Sequence, residues 1–319
     1  MTHAWTASCR PQRIRLVSPG SARPRRVRPG SAGVQRARPG STRPRPACCG
    51  SVATWLLLLF AAGWFGNGCG SSSTGPEEVT LIWQDDFDGP AGELPDPLKW
   101  RFDIGTDWGN AQLEYDTDRP ENVSLDGDGH LAITARRESY QGSAYTSGRI
   151  NTQGRFARAR GRFEARIRLP VGQGIWPAFW LLGNDFPTVG WPACGEIDIL
   201  EYRGQEPNIV HGSLHGPGYS GGGAVTGRFT LPGDGFDAGF HTFAIEWEPN
   251  QISWLVDGQV YQRRTPDDLP SGARWVFDHP FFIILNVAVG GTFVGDPDAS
   301  TQFPQTMLVD WVRVYGVAN

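Results

Sequence analysis

Three acidic side chains lie close together in the segment Glu196-Ile197-Asp198-Ile199-Leu200-Glu201. Successive side chains of a β-strand point to opposite faces, so a strand here places Glu196 and Asp198 on one face and the isoleucine between them on the other. Strict alternation would bury Glu201 among apolar residues. A β-bulge at Ile199 and Leu200 adds one residue and returns Glu201 to the face of the other two acids. We therefore predict a bulged strand with three carboxyl groups on one face.

Carboxyl groups in this arrangement favour acid–base chemistry on a sugar. Like charges raise one another's pKa, so one group can be ionised while another keeps its proton. Over about four strand steps, with side chains leaning inward, the carboxyl groups of Glu196 and Glu201 would approach to about 5 to 6 Å, near the separation used by glycosidases that retain configuration. A calcium site or a polar sheet face would show the same pattern of acids.

Aromatic residues surround the acidic segment. Trp191 precedes it, and upstream, strand alternation places Trp176, Ala178 and Trp180 on one face. An indole offers an apolar face for the C–H side of a sugar ring and an N–H for its hydroxyl groups. Core packing would explain each tryptophan equally well by itself. Their position beside the acids favours a carbohydrate site.

The chain around these motifs consists of short alternating runs without long helical repeats. Gly, Pro, Asn and Asp separate the runs, and Asp257-Gly258 between two of them is a strong hairpin signal. About 240 residues with this pattern predict one all-β domain, a sandwich or jelly roll, over residues 79–317. The clearest predicted strands are 131–134, 162–169, 179–182, 242–247, 252–256, 281–287 and 309–315.

Charge divides the chain into two unlike parts. Residues 1–76 contain 11 of its 29 basic residues and none of its 33 acidic residues, which leaves 18 basic against 33 acidic residues in the body. Such a body would repel phosphate, which excludes a nucleic-acid-binding domain and disfavours a polyanionic substrate. The body contains one cysteine, Cys194, and so no pair of cysteines. A disulfide within it is therefore excluded, and a structural zinc site is disfavoured.

The front of the chain predicts export. Residues 1–50 repeat a Pro-Gly-Ser phrase at ten-residue steps, and we interpret them as a disordered basic Arg/Pro-rich segment upstream of the true translation start. A basic arm for nucleic acid or anionic lipid is the alternative. Residues 51–69 hold an apolar run of signal-peptide length and end in a lipobox-like sequence, with Cys69 as the lipid-anchored residue. Residues 70–78 form a flexible tether. Simple cleavage would give a secreted protein, and lipidation a cell-envelope lipoprotein.

Further motifs accompany the acidic segment in a fixed order. They are Trp108-Gly109-Asn110, 119–122, Ser147-Gly148-Arg149, 176–180, 195–202, 211–215, 240–243, 280–291 and 309–315. Together, over about residues 80–316, they resemble glycoside hydrolase family 16, and within it the laminarinase-like bacterial endo-β-1,3-glucanases. The resemblance implies a concanavalin A-like jelly-roll β-sandwich of two antiparallel sheets, with a concave glycan cleft and hydrolysis with retained configuration.

The resemblance also assigns roles to the three acids. Glu196 matches the family nucleophile, Asp198 the assisting acid and Glu201 the general acid/base. The residue pattern alone leaves the order of the two glutamates open. The extra residue before Glu201 is similar to the laminarinase form of the motif, whereas the family's lichenases have the shorter Glu-x-Asp-x-Glu.

Other residues of the resemblance concern binding. The substrate-binding residues that it implies are Asn110, Arg149, Trp176, Trp180, Trp191 and His215. A turn would explain Asn110, a surface ion pair Arg149 and a core hydrogen bond His215 without any substrate. Asp310 matches a calcium ligand on the convex side of many relatives, which implies a structural calcium site. Cys194 stands where some relatives carry an aromatic residue, and strand parity would point it into the cleft.

The function implied by the resemblance is that of an exported, retaining endo-β-1,3-glucanase. It would cleave laminarin-like β-glucans by double displacement, as a monomer and without an organic cofactor. Two alternatives stay open. A non-catalytic β-glucan-binding protein of the same fold would typically lack one or both glutamates, and both are present. A hydrolase of mixed-linkage glucan, agarose or carrageenan would keep the chemistry and change the polymer.

Overall fold

Strands make up almost all the regular structure of residues 79–317, the part of the chain that the computed structural model describes. In chain order the strands are β1 (Val79–Asp85), β2 (Arg101–Phe102), β3 (Glu114–Asp116), β4 (Val123–Leu125), β5 (Leu131–Tyr140), β6 (Ser143–Ser147), β7 (Arg149–Asn151), β8 (Gly161–Arg168), β9 (Ile175–Gly183), β10 (Glu196–Tyr202), β11 (Ile209–His215), β12 (Val225–Thr230), β13 (His241–Glu248), β14 (Gln251–Val256), β15 (Gln259–Arg264), β16 (Phe281–Val289) and β17 (Gln305–Val317). The described helices are one α-helical turn, α1 (Phe186–Val189), and two 3-10 turns at Gly221–Gly223 and Pro266–Asp268.

The segments predicted before the domain lie outside the described residues. These are the basic segment 1–50, the signal and lipobox-like segment 51–69 and the tether 70–78. Export and a lipid anchor at Cys69 therefore stay predictions. Within residues 79–317, no helix has the length and apolar character that crossing a membrane requires.

Two stacked sheets form a sandwich. The ten-stranded sheet has the order β15-β14-β13-β8-β17-β5-β6-β3, with β1 beside β17 and β4 beside β5. The seven-stranded sheet has the order β12-β11-β10-β9-β16-β7-β2. The pair β3 and β6 is parallel, and the other described pairs of strands are antiparallel. The chain passes repeatedly between the sheets, as from β8 to β9 and from β16 to β17, which makes the sandwich a jelly roll. The predicted fold class is confirmed.

A hydrophobic core fills the space between the sheets. The ten-stranded sheet contributes Phe163 and Trp247, and the seven-stranded sheet contributes Phe179 and Phe281, all of them buried. Trp247 meets Phe281 edge-on across the two sheets, with ring centroids 5.2 Å apart. Burial of each such side chain contributes roughly 1.5 to 3 kcal/mol. Since no disulfide can form within residues 79–317, burial of this core stabilises the domain.

The local predictions from alternation and turn residues agree with the structure. Each of the seven predicted strands coincides with a strand of the sandwich. Asp257 and Gly258 form the two-residue turn between β14 and β15, with φ values of 48° and 78°. A type I′ turn requires positive φ at both positions, and Asp-Gly is one of the pairs that adopts it most readily.

Alternation in the seven-stranded sheet separates the core from a cleft. In β9, Phe179 and Leu181 are buried between the sheets, whereas Ala178 and Trp180 line the cleft on the opposite face. The neighbouring strands alternate in the same way. This sheet therefore carries the candidate site on its outer face.

Candidate active site

The predicted bulge is present in β10. Relative to both β9 and β11, the register shifts by one residue just after Asp198. Ile199 and Leu200 are both buried in the core, while Glu201 lines the cleft together with Glu196 and Asp198. The bulge and the shared face of the three acids are thereby confirmed.

The three acids lie in a cleft of about 1020 Å³ that crosses the seven-stranded sheet. Each predicted substrate-binding residue lines the same cleft. They are Asn110, Arg149, Trp176, Trp180, Trp191 and His215. The structure thus brings nine predicted residues to one site, and their individual roles stay predictions.

Glu196 accepts one hydrogen bond and lies near a histidine nitrogen. Trp191 donates its Nε1–H to Oε2 of Glu196 at 3.0 Å, and Nε2 of His215 lies 3.6 Å from Oε1. Trp191 precedes β10 and is 45% exposed. One indole therefore holds the carboxyl group through its nitrogen and leaves much of its ring open to the cleft.

His215 has a defined tautomer in this site. Its Nδ1 accepts the backbone N–H of Gly221 at 3.1 Å, so the proton of a neutral imidazole is on Nε2. That nitrogen lies 2.9 Å from Oδ2 of Asp198 and also faces Glu196. His215 therefore lies close to both carboxyl groups, and it lowers the pKa of Glu196.

The same tautomer bears on metal binding. Among residues 79–317, Glu196, Asp198 and His215 form the one group of potential metal ligands, with ligand atoms within 4.8 Å of one another. A metal ion would need the lone pair of Nε2, and that nitrogen carries the proton while Gly221 donates to Nδ1. In this tautomer the lone pair of Nε2 is not available to a metal ion.

Glu201 has polar neighbours on β11 and β12. Ser213 donates its hydroxyl to Oε2 of Glu201 at 3.3 Å, and its Oγ lies 2.9 Å from Oγ1 of Thr226. Trp176 lies beside the same carboxyl group, and both Ser213 and Trp176 lower the pKa of Glu201. These contacts counteract part of the effect of burial on this group.

Burial raises the pKa of each of the three acids. Desolvation takes the pKa of Asp198 to about 8. Desolvation first, and the nearby charge of Asp198 second, raise the pKa of Glu196 and of Glu201 to about 8, while His215 lowers both. The site therefore holds fewer than three negative charges near neutral pH. One group can be ionised while another keeps its proton, as the spacing of the acids predicts.

Arg149 is one of two arginines that line the cleft, the other being Arg203. Its guanidinium carbon lies 4.9 Å from the ring centroids of both Trp108 and Trp180, and Nε donates to Oδ2 of Asp103 at 3.0 Å. The side chain is 13% exposed, so its ion pair belongs to the cleft and not to the open surface. Its charge lowers the pKa of Glu196.

The three tryptophans predicted as sugar platforms differ in the ring surface that they offer. Trp191 is 45% exposed, whereas Trp176 is 7% exposed. Trp180 donates Nε1–H to Oδ1 of Asn286 at 2.8 Å and has Arg149 over its ring. Trp191 therefore offers the widest free face of the three, and the other two shape the cleft wall.

Asn110 serves a turn and also lines the cleft. Its backbone is left-handed, with φ of 55°, a conformation that asparagine tolerates better than most residues. Its carbonyl accepts the backbone N–H of Thr292 at 2.8 Å. The turn fixes Asn110 at the cleft edge, and a contact with substrate stays a prediction.

The predicted calcium ligand, Asp310, lies away from the cleft. It is the extra residue of a bulge in β17, between Val309 and Trp311, and its carboxyl group forms an ion pair with Arg166. Among the described residues, no group of three or more acidic, His or Cys side chains that could hold a metal ion includes Asp310. Calcium takes six to eight oxygen ligands, so the side chains at Asp310 do not by themselves fit this ion.

The prediction that Cys194 faces the cleft is wrong. It extended strand alternation back to residue 194, but β10 begins at Glu196, and Gly195 with φ of 74° turns the chain before it. Cys194 is fully buried in a small apolar cluster with Leu182 and Ile284. Burial raises the pKa of its thiol to about 12.

Several contacts in the cleft have weak sequence signals. Ser213 lies two residues before His215 on β11, so alternation could have identified it as a cleft residue. Asp103 and Trp108 contact Arg149, but more than forty residues separate them from it in the chain. Local periodicity carries no information about such partners.

Comparison with known proteins places these residues in a family. The family model for glycosyl hydrolases family 16 matches residues 106–313. A beta-glucanase of Rhodothermus marinus is 45% identical over 250 residues, which cover 74% of this chain and 84% of that protein. A glucan endo-1,3-beta-glucosidase of Cryptopygus antarcticus is 41% identical over 251 residues, which cover 73% of this chain and 90% of that protein.

A solved structure agrees with the sequence relatives. The catalytic domain of an endo-1,3-beta-glucanase (laminarinase) from Thermotoga petrophila RKU-1 is similar with a TM-score of 0.71 and 47% identity, covering 76% of this chain and 100% of that one. The matched range includes the bulged strand, its three acids and the cleft residues around them. The chain belongs to glycosyl hydrolases family 16.

Proposed function

We propose that this protein is a retaining endo-β-1,3-glucanase that acts on laminarin-like β-glucans. The observation that carries the proposal is the bulge of β10, which places Glu201 in one cleft with Glu196 and Asp198. The indole-lined walls of the cleft suit a glucan chain. The named activities of the relatives from Cryptopygus antarcticus and Thermotoga petrophila RKU-1 support the β-1,3 linkage.

In the first step, the carboxylate of Glu196 attacks the anomeric carbon of the sugar. The carboxyl proton of Glu201 moves to the glycosidic oxygen as the bond between that oxygen and the anomeric carbon breaks. The products are a glucosyl ester on Glu196, an ionised Glu201 and a free chain end. The N–H groups of Trp191 and His215 stabilise the charged form of Glu196 before the attack.

In the second step, Glu201 takes a proton from a water molecule that attacks the same carbon. The ester bond breaks and Glu196 leaves as a carboxylate, so two inversions retain the configuration. Asp198 raises the pKa of Glu201. This keeps the acid protonated for the first step of the next cycle.

Azide rescue tests the two glutamate roles. Glu201→Ala should lower kcat on laminarin by about 10²- to 10⁴-fold, the range contributed by a positioned acid or base. Azide should restore cleavage of an activated aryl glycoside and give a β-glycosyl azide. Glu196→Ala should give the α-azide, because azide then attacks in place of the missing nucleophile. The opposite stereochemistry in the two variants would mean that the roles are exchanged.

A digestion panel tests the polymer. We expect reducing-end release from laminarin to exceed that from lichenan, agarose and carrageenan. The acidic body disfavours sulfated carrageenan. Faster cleavage of agarose or lichenan would replace the proposed substrate. Binding of laminarin without release, identical in the wild type and Glu196→Gln, would identify a non-catalytic glucan-binding protein.

The proposed reaction requires no organic cofactor, since both steps use carboxyl groups and water. Activity should therefore persist in EDTA. A structural calcium ion would appear as a rise in Tm with added calcium that Asp310→Asn abolishes. An unchanged Tm in both proteins would show that Asp310 does not bind a structural calcium ion.

We also propose that the protein is exported and acts as a monomer. The apolar run and lipobox-like sequence before Cys69 support export, as a cell-envelope lipoprotein or a secreted protein. Mass spectrometry of the mature N-terminus distinguishes a lipidated Cys69 from simple cleavage. Light scattering of the purified protein tests the monomer.

A further inference from the structure

The bulge of β10 receives a hydrogen bond from the opposite sheet. Trp254 of β14 is fully buried, and its indole N–H donates to the backbone carbonyl oxygen of Asp198 at 2.7 Å. In a regular ladder, carbonyl groups point within the sheet toward neighbouring strands. A side chain from the facing sheet reaches one where the ladder is interrupted, and the register breaks at Asp198.

A glycine provides the space for this contact. Gly212 of β11 lies opposite the bulge, between the partners of Asp198 and Glu201. A Cβ atom there would lie 2.4 Å from Cδ1 and 2.6 Å from Nε1 of Trp254. Any other residue at position 212 would therefore push the indole away from the carbonyl group. The hydrogen bond from Trp254 to Asp198 therefore depends on glycine at position 212.

The indole of Trp254 is fully buried. Trp254 borders a second bulge, where β14 and β15 shift register and Tyr261 is the extra residue. The hydroxyl of Tyr261 would also lie 2.6 Å from a Cβ atom at Gly212. Because close packing surrounds a fully buried ring, turning the indole of Trp254 would require its neighbours to move. Its N–H is held toward the bulge in β10.

We propose that Trp254 is a positioning residue of the active site, which acts through the backbone of Asp198. Its hydrogen bond stabilises the bulge that turns Glu201 onto the cleft face. Without the donor, a buried carbonyl oxygen loses its partner, and conformations that relax the bulge become more favourable. The inference rests on the proposed role of Glu201 as the general acid/base.

The first test compares two buried tryptophans. Trp254→Phe removes the N–H and keeps an aromatic ring. Trp247→Phe is a matched control, because Trp247 is also buried in the ten-stranded sheet and donates to a backbone carbonyl, that of Phe277, at 3.3 Å. We expect Trp254→Phe to lower kcat on laminarin by about 10- to 100-fold with KM within about twofold, as a small displacement of a catalytic group does. Trp247→Phe should leave kcat within about twofold. Equal losses of kcat in both variants would overturn the proposal.

The second test uses the leaving group. A dinitrophenyl glycoside releases dinitrophenolate, which leaves with little need for a proton. The leaving group of a glucan is a sugar alkoxide, which requires a proton from a general acid. If Trp254 positions Glu201, Trp254→Phe should lower kcat/KM far more for laminarin oligosaccharides than for the dinitrophenyl glycoside. A loss of equal size on both substrates would mean that Trp254 has only a general structural role.

Glu201→Gln, measured in parallel, separates this inference from the proposed function. If Glu201→Gln shows no dependence on the leaving group, the assignment of Glu201 is wrong. If Glu201→Gln shows the dependence and Trp254→Phe does not, the positioning role is wrong and the assignment stands.

Should Trp254→Phe fail to fold, benzothienylalanine at position 254 keeps the bicyclic shape and lacks only the N–H. The same two outcomes then decide.

Discussion

The titration of Glu201 is set by opposing contacts on a single carboxyl group. Burial and the charge of Asp198 raise its pKa, whereas His215, Ser213 and Trp176 lower it. Ser213 acts through a direct hydrogen bond from its hydroxyl. A general acid is useful only below its pKa, so these neighbours set the alkaline limit of activity.

Removal of the Ser213 hydroxyl should move that limit. A hydrogen bond to the ionised form lowers a carboxyl pKa, so its loss in Ser213→Ala raises the pKa of Glu201. We expect the alkaline limb of the kcat/KM profile to shift to higher pH by up to about one pH unit. Thr226→Val is the control, because Thr226 contacts Ser213 and leaves its bond to Glu201 in place. An unshifted limb in Ser213→Ala would show that Ser213 does not control this acid.

At the scale of elements, β10 explains why one additional residue is tolerated in the middle of a strand. Both bulge residues, Ile199 and Leu200, are buried in the core. The apolar face therefore gains a side chain, while the cleft face keeps its acids in order. A bulge thus re-aims a functional side chain within a strand that stays paired before and after it.

Deletion of Leu200 tests this account of β10. It leaves Glu-Ile-Asp-Ile-Glu, in which plain alternation already puts both glutamates on one face. We expect a folded protein whose glucanase activity, measured as reducing ends from laminarin, stays well above that of Glu201→Ala. A folded deletion variant as inactive as Glu201→Ala would show that the bulge sets a spacing as well as a face.

Strand-level predictions succeeded where a local rule was sufficient. Alternation and the position of Glu201 together required the bulge, and Asp257-Gly258 specified its hairpin. The same rule failed at Cys194, because Gly195 ends the strand conformation just before the acids. Trp254 was beyond reach for a different reason. Its partner carbonyl lies 56 residues away on the other sheet, and the contact exists only once the two sheets have packed.

For the whole molecule, the buried carboxyl groups of the cleft lower the stability of the folded state at neutral and alkaline pH. Burial raises the pKa of Glu196, Asp198 and Glu201 to about 8, above the values of about 4 that these groups have in an unfolded chain. Between these limits the folded state binds more protons than the unfolded state. The free energy of unfolding therefore falls as the pH rises through this window.

Glu201→Gln should reduce this loss of stability. The variant removes one buried ionisable group, so it should match the wild type near pH 4 and be more stable above pH 8, by on the order of 1 to 3 kcal/mol. Denaturant titrations at several pH values measure the difference. Glu121→Gln, at an exposed position, should follow the wild-type profile. A Glu201→Gln curve parallel to that of the wild type at every pH would contradict the buried-carboxyl explanation.

Because Cys194 is buried, the reaction of its thiol is a probe of local and global unfolding of the domain. It is the one thiol within residues 79–317, and both its burial and its raised pKa suppress reaction with alkylating reagents in the closed form. Modification of an isolated domain must therefore wait for local or global unfolding beneath the cleft. The rate of alkylation, measured with and without a bound oligosaccharide, therefore reports how much occupation of the cleft suppresses unfolding around Cys194.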